Sequence, residues 1–444
     1  METYLQKREE KNISIINAVL ILHAALAIIK WFLPVSGYLT NGIILFFFPA
    51  VELFIIICNW MHYSRKPVFP YVILPLVFHL YMIIRHSLNG DIMSHGASDF
   101  FTLLFVLCAM LALTERELID RFHIFSKAML VLCIATTAVS LLALIYPVNP
   151  AGAMLDGRFQ GITGHPNTLG NIVAYCYIIG FACCLLQPQK ASNWILLLCG
   201  TVATAVVLVG SQCRSAMLFT GVSVTGFYVF YLVFWRKRLP RKVSLAAGAV
   251  LLLLIFALIA FILLFFISPQ VQETVLGLLR VPYDEGKSTN ETLSTMVDYF
   301  HDASGRDEIR TISIENWKNN ILFGVTTDRV LEGYTQQAIT NSKGSHDSFI
   351  QILATLGLTG LIFFLSMYAS AFYCAFKAAI SPLSYEIRTI SMVIVVIFVA
   401  VAINSTYENQ LYTSIQVMVL IFYFLIASSY QLANTARAAR IVGH

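Results

Sequence analysis

The chain has 444 residues, of which 58% are hydrophobic and only 12% are charged, with a formal net charge of +5 at pH 7. Soluble domains carry about 25% charged residues, so this composition, with a mean hydropathy of +0.75, excludes a soluble globular protein. The sequence also lacks strand-type alternation of apolar and polar residues, which excludes an outer-membrane barrel and leaves α-helices as the spanning elements.

Apolar stretches long enough to cross a bilayer recur along the whole chain. A spanning helix needs about 20 mostly apolar residues, and the sequence predicts an all-α membrane protein with about twelve such helices. The predicted spans are residues 13–33, 39–58, 68–84, 99–113, 124–146, 168–187, 194–210, 214–235, 243–267, 346–376, 388–404 and 410–432. We therefore expect helices one to nine in residues 1–267, one large external loop in 268–345, and helices ten to twelve with a cytoplasmic tail in 346–444.

Lys and Arg in short loops concentrate on the cytoplasmic side of a membrane, and their distribution here predicts cytoplasmic N- and C-termini. The connections that this orientation makes cytoplasmic carry Arg65, Lys66, Arg116, Arg121, Lys190, Arg236, Lys237, Arg238, Arg241, Lys242, Lys377 and Arg388. The short external connections hold only Arg85, Arg158 and Arg214. Arginine is uncommon in short external connections, so the position of each of these three residues needs a structural explanation.

Charged and titratable residues within the first predicted spans are few. Glu52 lies inside the second predicted span, where a charge is costly and often functional. It either lines a cavity or pairs with a polar group of another helix. His23 and His79 are interpreted as buried, hydrogen-bonded histidines rather than as ligands.

Two external connections favour an anionic ligand. The connection 147–167 contains four glycines around Arg158, a composition typical of a tight loop. The next external connection is very short, and a helix begins beside Arg214, so free N–H groups at its N-terminus favour a phosphate. A lipid headgroup is the alternative ligand at both places.

The large loop contains a predicted helix. Ser304-Gly305-Arg306-Asp307 has a Ser followed three residues later by an acid, which is a capping pattern. Apolar residues then follow at helical spacing, and Gly324 provides the stop; they are Ile309, Ile312, Trp317 and Ile321. Arg306 in the first turn opposes the helix dipole, a local conflict that is typical of functional sites.

Metal or cofactor binding is not predicted. His301 and the nearby acids of the loop have spacings that are common in solvated turns. Of the nine cysteines, only Cys213 lies in a short loop, and none has the spacing of a metal-ligand pair.

Taken in order, these motifs resemble the O-antigen ligase and polysaccharide polymerase superfamily of bacterial inner membranes. The matching pieces are Gly157-Arg158-Phe159, Pro166-Asn167, Ser211-x-x-Arg214, Ser304-Gly305-Arg306 with Trp317, and His346-Asp347-Ser348-Phe349 with Gly357 and Gly360. Asp347 departs from the pattern, because the family commonly has Asn at this position. Residues 164–170 look as much like exopolysaccharide polymerases as like ligases, which leaves the acceptor open.

The resemblance implies a glycosyltransferase of the cytoplasmic (inner) membrane that moves a glycan from undecaprenyl pyrophosphate to an acceptor sugar hydroxyl on the outer face. The acceptor would be lipid A core or a growing glycan, and no cofactor and no nucleic acid are expected. Arg158, Arg214 and Arg306 are expected to bind the pyrophosphate, because guanidinium groups pair bidentately with phosphate oxygens. Asn167 and Trp317 are expected to contact the substrate.

On the acceptor side, the resemblance gives His346 the role of proton acceptor, and Glu408 in the last external loop is the reserve candidate. An O-antigen, capsule or exopolysaccharide polymerase is the alternative, since it uses the same chemistry on a different acceptor. A membrane transporter or flippase is a further alternative. It is less favoured because transporters place charged groups near the membrane midplane, whereas the polar features here gather on one face.

Overall fold

The computed structural model describes residues 2–30, 32, 43–62, 71–88, 97–146, 152–155, 157–237, 241, 244, 273, 306–325, 330, 347–408, 411 and 416–442. Within these ranges the protein is almost entirely helical. The α-helices are α1 (Glu2–Ile29), α2 (Ile43–His62), α3 (Ile73–Leu88), α4 (Ala97–Ala109), α5 (Glu115–Ile145), α6 (Pro166–Gly180), α7 (Ala182–Leu186), α8 (Ala191–Ser211), α9 (Arg214–Phe230), α10 (Arg306–Trp317), α11 (Ser348–Ile380), α12 (Tyr385–Ser405) and α13 (Val417–Val442). A π-helix (Tyr231–Trp235) extends α9, and a 3₁₀-helix (Lys318–Asn320) extends α10.

Seven helices of the described chain are long and apolar enough to cross a membrane, which confirms an all-α membrane protein. They are Glu115–Ile145, Pro166–Leu186, Ala191–Ser211, Arg214–Trp235, Ser348–Ile380, Tyr385–Ser405 and Val417–Arg437. Shorter apolar helices at Ser14–Ile29, Pro49–Asn59, Ile73–Leu88 and Asp99–Ala109 coincide with the first four predicted spans. Apart from residue 244, the predicted span 243–267 lies outside the described residues, so the total of twelve stays a prediction.

Most of the predicted external loop 268–345 also lies outside the described residues. Its described part contains α10, which begins at Arg306 and passes through the short 3₁₀-helix. Gly324 follows with φ +72°, a left-handed conformation that favours glycine. The helix predicted between Ser304 and Gly324 is therefore confirmed from Arg306 onward, whereas the division of the chain into three regions stays a prediction.

The segments Pro166–Leu186 and Val417–Arg437 are encased by other helices, with 89% of each apolar window buried. Small residues permit this close packing in α6. An added Cβ at Gly170 would lie 2.6 Å from the Cβ of Cys213, and one at Gly180 would lie 2.8 Å from the Cβ of Leu130. Arg214–Trp235, in contrast, is only 17% buried and lies at the periphery.

The titratable residues Glu52, His23 and His79 inside the bundle have polar partners. His23 Nδ1 lies 2.7 Å from Glu52 Oε1, and both side chains are buried. Glu52 therefore pairs with a polar group of another helix, which was one of the two expected arrangements. His79 Nδ1 is bonded to the carbonyl of Pro75 at 2.8 Å, so both histidines are buried and hydrogen-bonded, as predicted.

One end of the bundle carries several of the basic connections. Ser384 Oγ donates to Glu115 Oε1, which joins the start of α12 to the start of α5. Gln431 Nε2 donates to the carbonyl of Leu111 at 2.6 Å and brings α13 to the same place. Arg116, near the start of α5, and Arg388, near the start of α12, lie at this end of the bundle. The candidate functional site lies at the opposite end.

Candidate functional site

Four helices meet at the other end of the bundle. The helices α6, α9 and α11 begin here, α12 ends here, and the loop 152–165 lies against them. Helix N-termini present free N–H groups and a positive dipole end. This end therefore favours an anionic ligand. It contains the predicted site residues Arg158, Asn167, Arg214 and Glu408, together with the backbone of Arg306.

The loop before α6 is tight, as the glycine content predicted, and it contains a short β-hairpin. β1 (Met154–Leu155) pairs antiparallel with β2 (Arg158–Phe159), with Leu155 opposite Arg158. Gly161 has φ +56°, and a Cβ at this position would lie 2.4 Å from the Cβ of Ser140 in α5. Only glycine fits there, so the turn packs directly on the end of α5.

Arg158 is buried at the base of this hairpin, with 8% of its surface exposed. Its Nε donates to the carbonyl of Ser211 at 2.8 Å, and its Nη2 donates to Asn167 Oδ1 at 2.5 Å. These bonds explain why an isolated arginine occurs at this position. They fix the guanidinium between the end of α8 and the start of α6.

Glu408 links the starts of three helices. Its Oε1 accepts hydrogen bonds from Asn167 Nδ2 at 3.3 Å and from Ser215 Oγ at 3.2 Å. Its backbone carbonyl accepts from Ser348 Oγ at 2.9 Å. Arg158, Asn167 and Glu408 thus form one hydrogen-bonded chain, which brings together three of the predicted site residues.

Arg214 is the first residue of α9 and is half-buried. The turn from α8 into α9 is only two residues long, and Gln212 adopts a left-handed conformation there with φ +49°. The N-cap residue, Cys213, makes no side-chain capping bond. Arg214 therefore stands at the start of a helix, as predicted, directly before the serine that contacts Glu408.

The thiol of Cys213 is buried within this turn and bonds to the carbonyl of Asn167 at a Sγ–O distance of 3.7 Å. Burial raises the pKa of Cys213 to about 11. The thiol is therefore neutral near pH 7 and is a poor nucleophile, because only the thiolate is strongly nucleophilic.

Helix α10 is attached to a break in α11. Gly357 has φ 69° and ψ −171°, which interrupts α11 and frees backbone groups on both sides. The segment 321–325 pairs with these groups: Val325 N donates to the carbonyl of Ala354 at 2.7 Å, and Leu358 N donates to the carbonyl of Ile321 at 2.9 Å. We call this arrangement of residues 321–325 on the break at Gly357 the glycine joint.

Arg85 and Tyr81 of α3 support the glycine joint. Arg85 Nη2 donates to the carbonyl of Gly324 at 3.2 Å, and its guanidinium carbon lies 5.8 Å from the ring centroid of Phe323. Tyr81 Oη donates to the carbonyl of Leu356 at 2.7 Å. The sequence had no signal for this role of Arg85, because its partner lies 239 residues further along the chain.

Trp317 lies beside the glycine joint. Its Nε1 donates to the carbonyl of Ile321 at 2.9 Å, and its half-buried ring packs against Ile309, Val330 and Ala354. These contacts give Trp317 a packing role between α10 and α11. Its predicted contact with substrate stays a prediction.

Arg310 lies at the same end of the bundle and is not among the residues that the sequence patterns indicated. Its Nη2 donates to the carbonyl of Thr406, and it lies 4.0 Å from Asp347 Oδ2. Asp347 caps α11, since its Oδ1 accepts from the backbone N–H of Phe349 and of Ile350 at 2.9 Å each. The only feature of the sequence that could have indicated Arg310 is its position one helical turn after Arg306, and this spacing does not identify Thr406 or Asp347 as its partners.

Of the predicted site residues, one is not described by the structure and another is described only by its backbone. His346 lies outside the described residues, and of Arg306 only the backbone, at the start of α10, is described. Among the described ranges, no group of three or more His, Cys, Asp or Glu side chains gathers as metal ligands would. His301 and its neighbouring acids fall outside those ranges, so the absence of a metal stays a prediction.

Comparison with known families gives one match. Residues 199–365 match the family model described as O-antigen ligase. The matched segment contains Arg214, Arg306, Trp317 and His346, whereas Arg158, Asn167 and Glu408 lie outside it. No curated protein matches the sequence. The match confirms the resemblance that was drawn from the motifs.

Proposed function

We propose that the chain is an O-antigen ligase-like glycosyltransferase, a function supported by the match of residues 199–365 to the family model described as O-antigen ligase. It moves a glycan from undecaprenyl pyrophosphate to an acceptor sugar hydroxyl on the outer face of the bacterial cytoplasmic membrane. In this proposal the site end faces outward and both chain termini are cytoplasmic. The observation that carries it is the hydrogen-bonded chain Arg158–Asn167–Glu408, beside the start of α9 at Arg214.

The reaction is a displacement at the anomeric carbon of the transferred glycan. The acceptor oxygen forms a bond to this carbon while the carbon–oxygen bond to the pyrophosphate breaks, and the electron pair leaves with the pyrophosphate. Negative charge therefore grows on the leaving phosphate, and fixed cations there stabilise the transition state more than the ground state. Arg214 and Arg306, each at the start of a helix, are the proposed donors of this stabilisation.

Arg158 is proposed to complete this pyrophosphate site from a fixed position. Since its Nε and Nη2 already bond to Ser211 and Asn167, its charge is held in place before the donor binds. Such preorganisation avoids a reorganisation cost during the reaction. Loss of one donor of this kind lowers the rate by about 10²–10³-fold.

His346 is proposed to accept the proton of the acceptor hydroxyl, since imidazole titrates in the required pH range. Glu408 then has a different function from that of a reserve base. Its Oε1 accepts bonds from both Asn167 and Ser215. We propose that Glu408 orients Asn167, and through it Arg158, as a positioning residue.

A polymerase is the second candidate, and one feature favours it. The stretch 164–170, which looks as much like exopolysaccharide polymerases as like ligases, leads into α6 and includes Asn167, which bonds to both Arg158 and Glu408. A polymerase passes the growing chain to another lipid-linked repeat through the same displacement. The acceptor alone separates the two candidates.

The test is transfer by the purified protein in detergent, with an undecaprenyl-pyrophosphate-linked glycan as donor. Lipid A core and a second lipid-linked repeat are offered separately as acceptors, and released undecaprenyl pyrophosphate is measured with the glycan product. Transfer to lipid A core supports the ligase, and extension of the lipid-linked repeat supports the polymerase. No transfer to either acceptor, in a protein that remains folded, would refute both.

The variant Glu408→Gln tests the site itself. It keeps the size of the side chain but removes the carboxylate that holds Asn167 and Ser215. We expect transfer to fall by about tenfold, which corresponds to about 1.4 kcal/mol. Glu386→Gln, in the first turn of α12 at the opposite end of the bundle, is the matched control.

A further inference from the structure

Arg310 joins three elements at the site end. It belongs to α10, its Nη2 donates to the carbonyl of Thr406 just after α12, and it faces the Asp347 carboxylate at the start of α11 across 4.0 Å. The side chain of Arg310 is 26% exposed and that of Asp347 is 10% exposed. The pair is therefore largely withdrawn from water, where charges interact more strongly than at an open surface.

The charge of Asp347 is not needed for its capping bonds. Asp347 Oδ1 accepts from two backbone N–H groups of α11, while Oδ2 faces Arg310. Asn is as good an N-cap residue as Asp, so a neutral side chain would cap α11 equally well. The carboxylate instead adds negative charge at the end of the protein where the proposed donor brings a pyrophosphate.

Arg310 offsets this charge and ties α10 to the chain just before Glu408. Like charges brought together at a binding site weaken binding by several kcal/mol. A carboxylate paired with a guanidinium no longer acts on its surroundings as a full negative charge. The bond to Thr406 lies two residues before Glu408, whose side chain holds Asn167.

We infer that Arg310 is a positioning residue for glycan transfer, which pairs with Asp347 so that this carboxylate does not repel the pyrophosphate of the donor. This inference rests on the proposed function. Arg310 acts through Asp347 and does not itself bind the phosphates. Its task is thus distinct from those proposed for Arg158, Arg214 and Arg306.

The experiment compares Arg310→Gln, Asp347→Asn and the double variant in the transfer assay. Arg310→Gln removes the positive charge that faces the carboxylate, so KM for the undecaprenyl-pyrophosphate-linked glycan should rise by about tenfold, with kcat changed by less than about threefold. Adding Asp347→Asn should return KM to within about threefold of the wild-type value. If Arg310 contacts the donor directly or acts through Thr406 alone, the second substitution gives no rescue, and the inference is wrong.

A matched pair elsewhere in the protein provides the control. Arg116 Nε and Asp120 Oδ2 are also 4.0 Å apart, but their side chains are 93% and 57% exposed, at the opposite end of α5 from the site. Arg116→Gln should change KM by less than about twofold, because exposed pairs contribute little.

Melting of the four proteins in detergent separates positioning from simple packing. A coupling between Arg310 and Asp347 in the melting temperatures, without rescue of KM, would mean that the pair only stabilises the fold, which refutes the positioning role. A wild-type protein that transfers no glycan refutes the proposed function, and the donor-related role falls with it. A wild-type protein that transfers glycan, with no rescue in the double variant, refutes the role of Arg310 alone.

Discussion

Replacement of Gly324 by Ala should separate α10 from α11. Gly324 has φ +72°, and an added Cβ would lie 2.5 Å from the carbonyl carbon of Thr355 and 2.6 Å from the backbone nitrogen of Gly357. These are backbone atoms inside a packed joint, so a side-chain rotation cannot relieve the contact. The segment 321–325 must therefore move away from α11.

The cost of this movement follows from the bonds of the glycine joint. A residue with a Cβ in the left-handed region costs about 1–2 kcal/mol. Val325, Leu358 and Thr359 each donate one backbone bond across the joint, at 2.7, 2.9 and 3.2 Å. Each bond contributes about 1 kcal/mol, so separation, which relieves the strain at position 324, loses about 3 kcal/mol of backbone bonding across the joint.

Hydrogen exchange of the backbone amides measures this local opening directly. We expect the amides of Val325, Leu358 and Thr359 to exchange about 100-fold faster or more in Gly324→Ala, because each 1.4 kcal/mol is a factor of ten. Amides in the centre of α6 should be unchanged. Glycan transfer should fall in parallel, since Arg306 begins the helix that is released.

Gly221→Ala is the control for this experiment. Gly221 lies inside α9, and an added Cβ there would meet no atom within 4 Å. An alanine in a helix is more favourable than a glycine by about 1 kcal/mol. If the three joint amides exchange in Gly324→Ala within about threefold of their rates in Gly221→Ala, the joint is not held in the way described.

Three further predictions concern the proposed site. A cysteine placed at Asn290 should react with an impermeant reagent in intact spheroplasts and one at Pro240 should not; the reverse result would contradict the proposed orientation. EDTA should leave transfer unchanged, because arginines supply the charge stabilisation that metal ions supply elsewhere; loss that Mg²⁺ or Mn²⁺ restores would contradict this. Arg214→Lys should lower transfer by roughly tenfold or more because the planar fork is lost, and His346→Ala should abolish transfer while donor affinity is kept. Equal loss of donor affinity in His346→Ala and Arg214→Ala would show that the two residues share one role.

The parts of the fold that sequence patterns predicted are local in the chain. The glycines of residues 147–167 predicted the tight loop that carries Arg158, and the spacing of apolar residues predicted α10. Both patterns depend on neighbours a few residues apart, which the sequence displays directly. Hydropathy likewise located the helices that are described, because the membrane imposes the same length and apolarity on each.

The contacts that assemble the site end could not be predicted in this way. Asn167 and Glu408 are 241 residues apart, and nothing in either segment identifies the other as its partner. The long-range contacts of Arg310 and of Gly324 likewise have no local signal, because they depend on the break at Gly357 and the turn after α12. Such contacts depend on how the helices pack, which local periodicity does not determine.

The unequal burial of α6 and α9 bears on how the proposed lipid-linked donor would reach the site. The segment Pro166–Leu186 is 89% buried, whereas Arg214–Trp235 is 17% buried and presents Val224, Val229 and Val233 on its exposed surface. Arg214 therefore lies at the start of a helix whose flank is left largely exposed by the helices that the structure describes. A polyprenyl tail could lie along that flank while the phosphates reach the arginine, so the donor would approach sideways from the bilayer without crossing water.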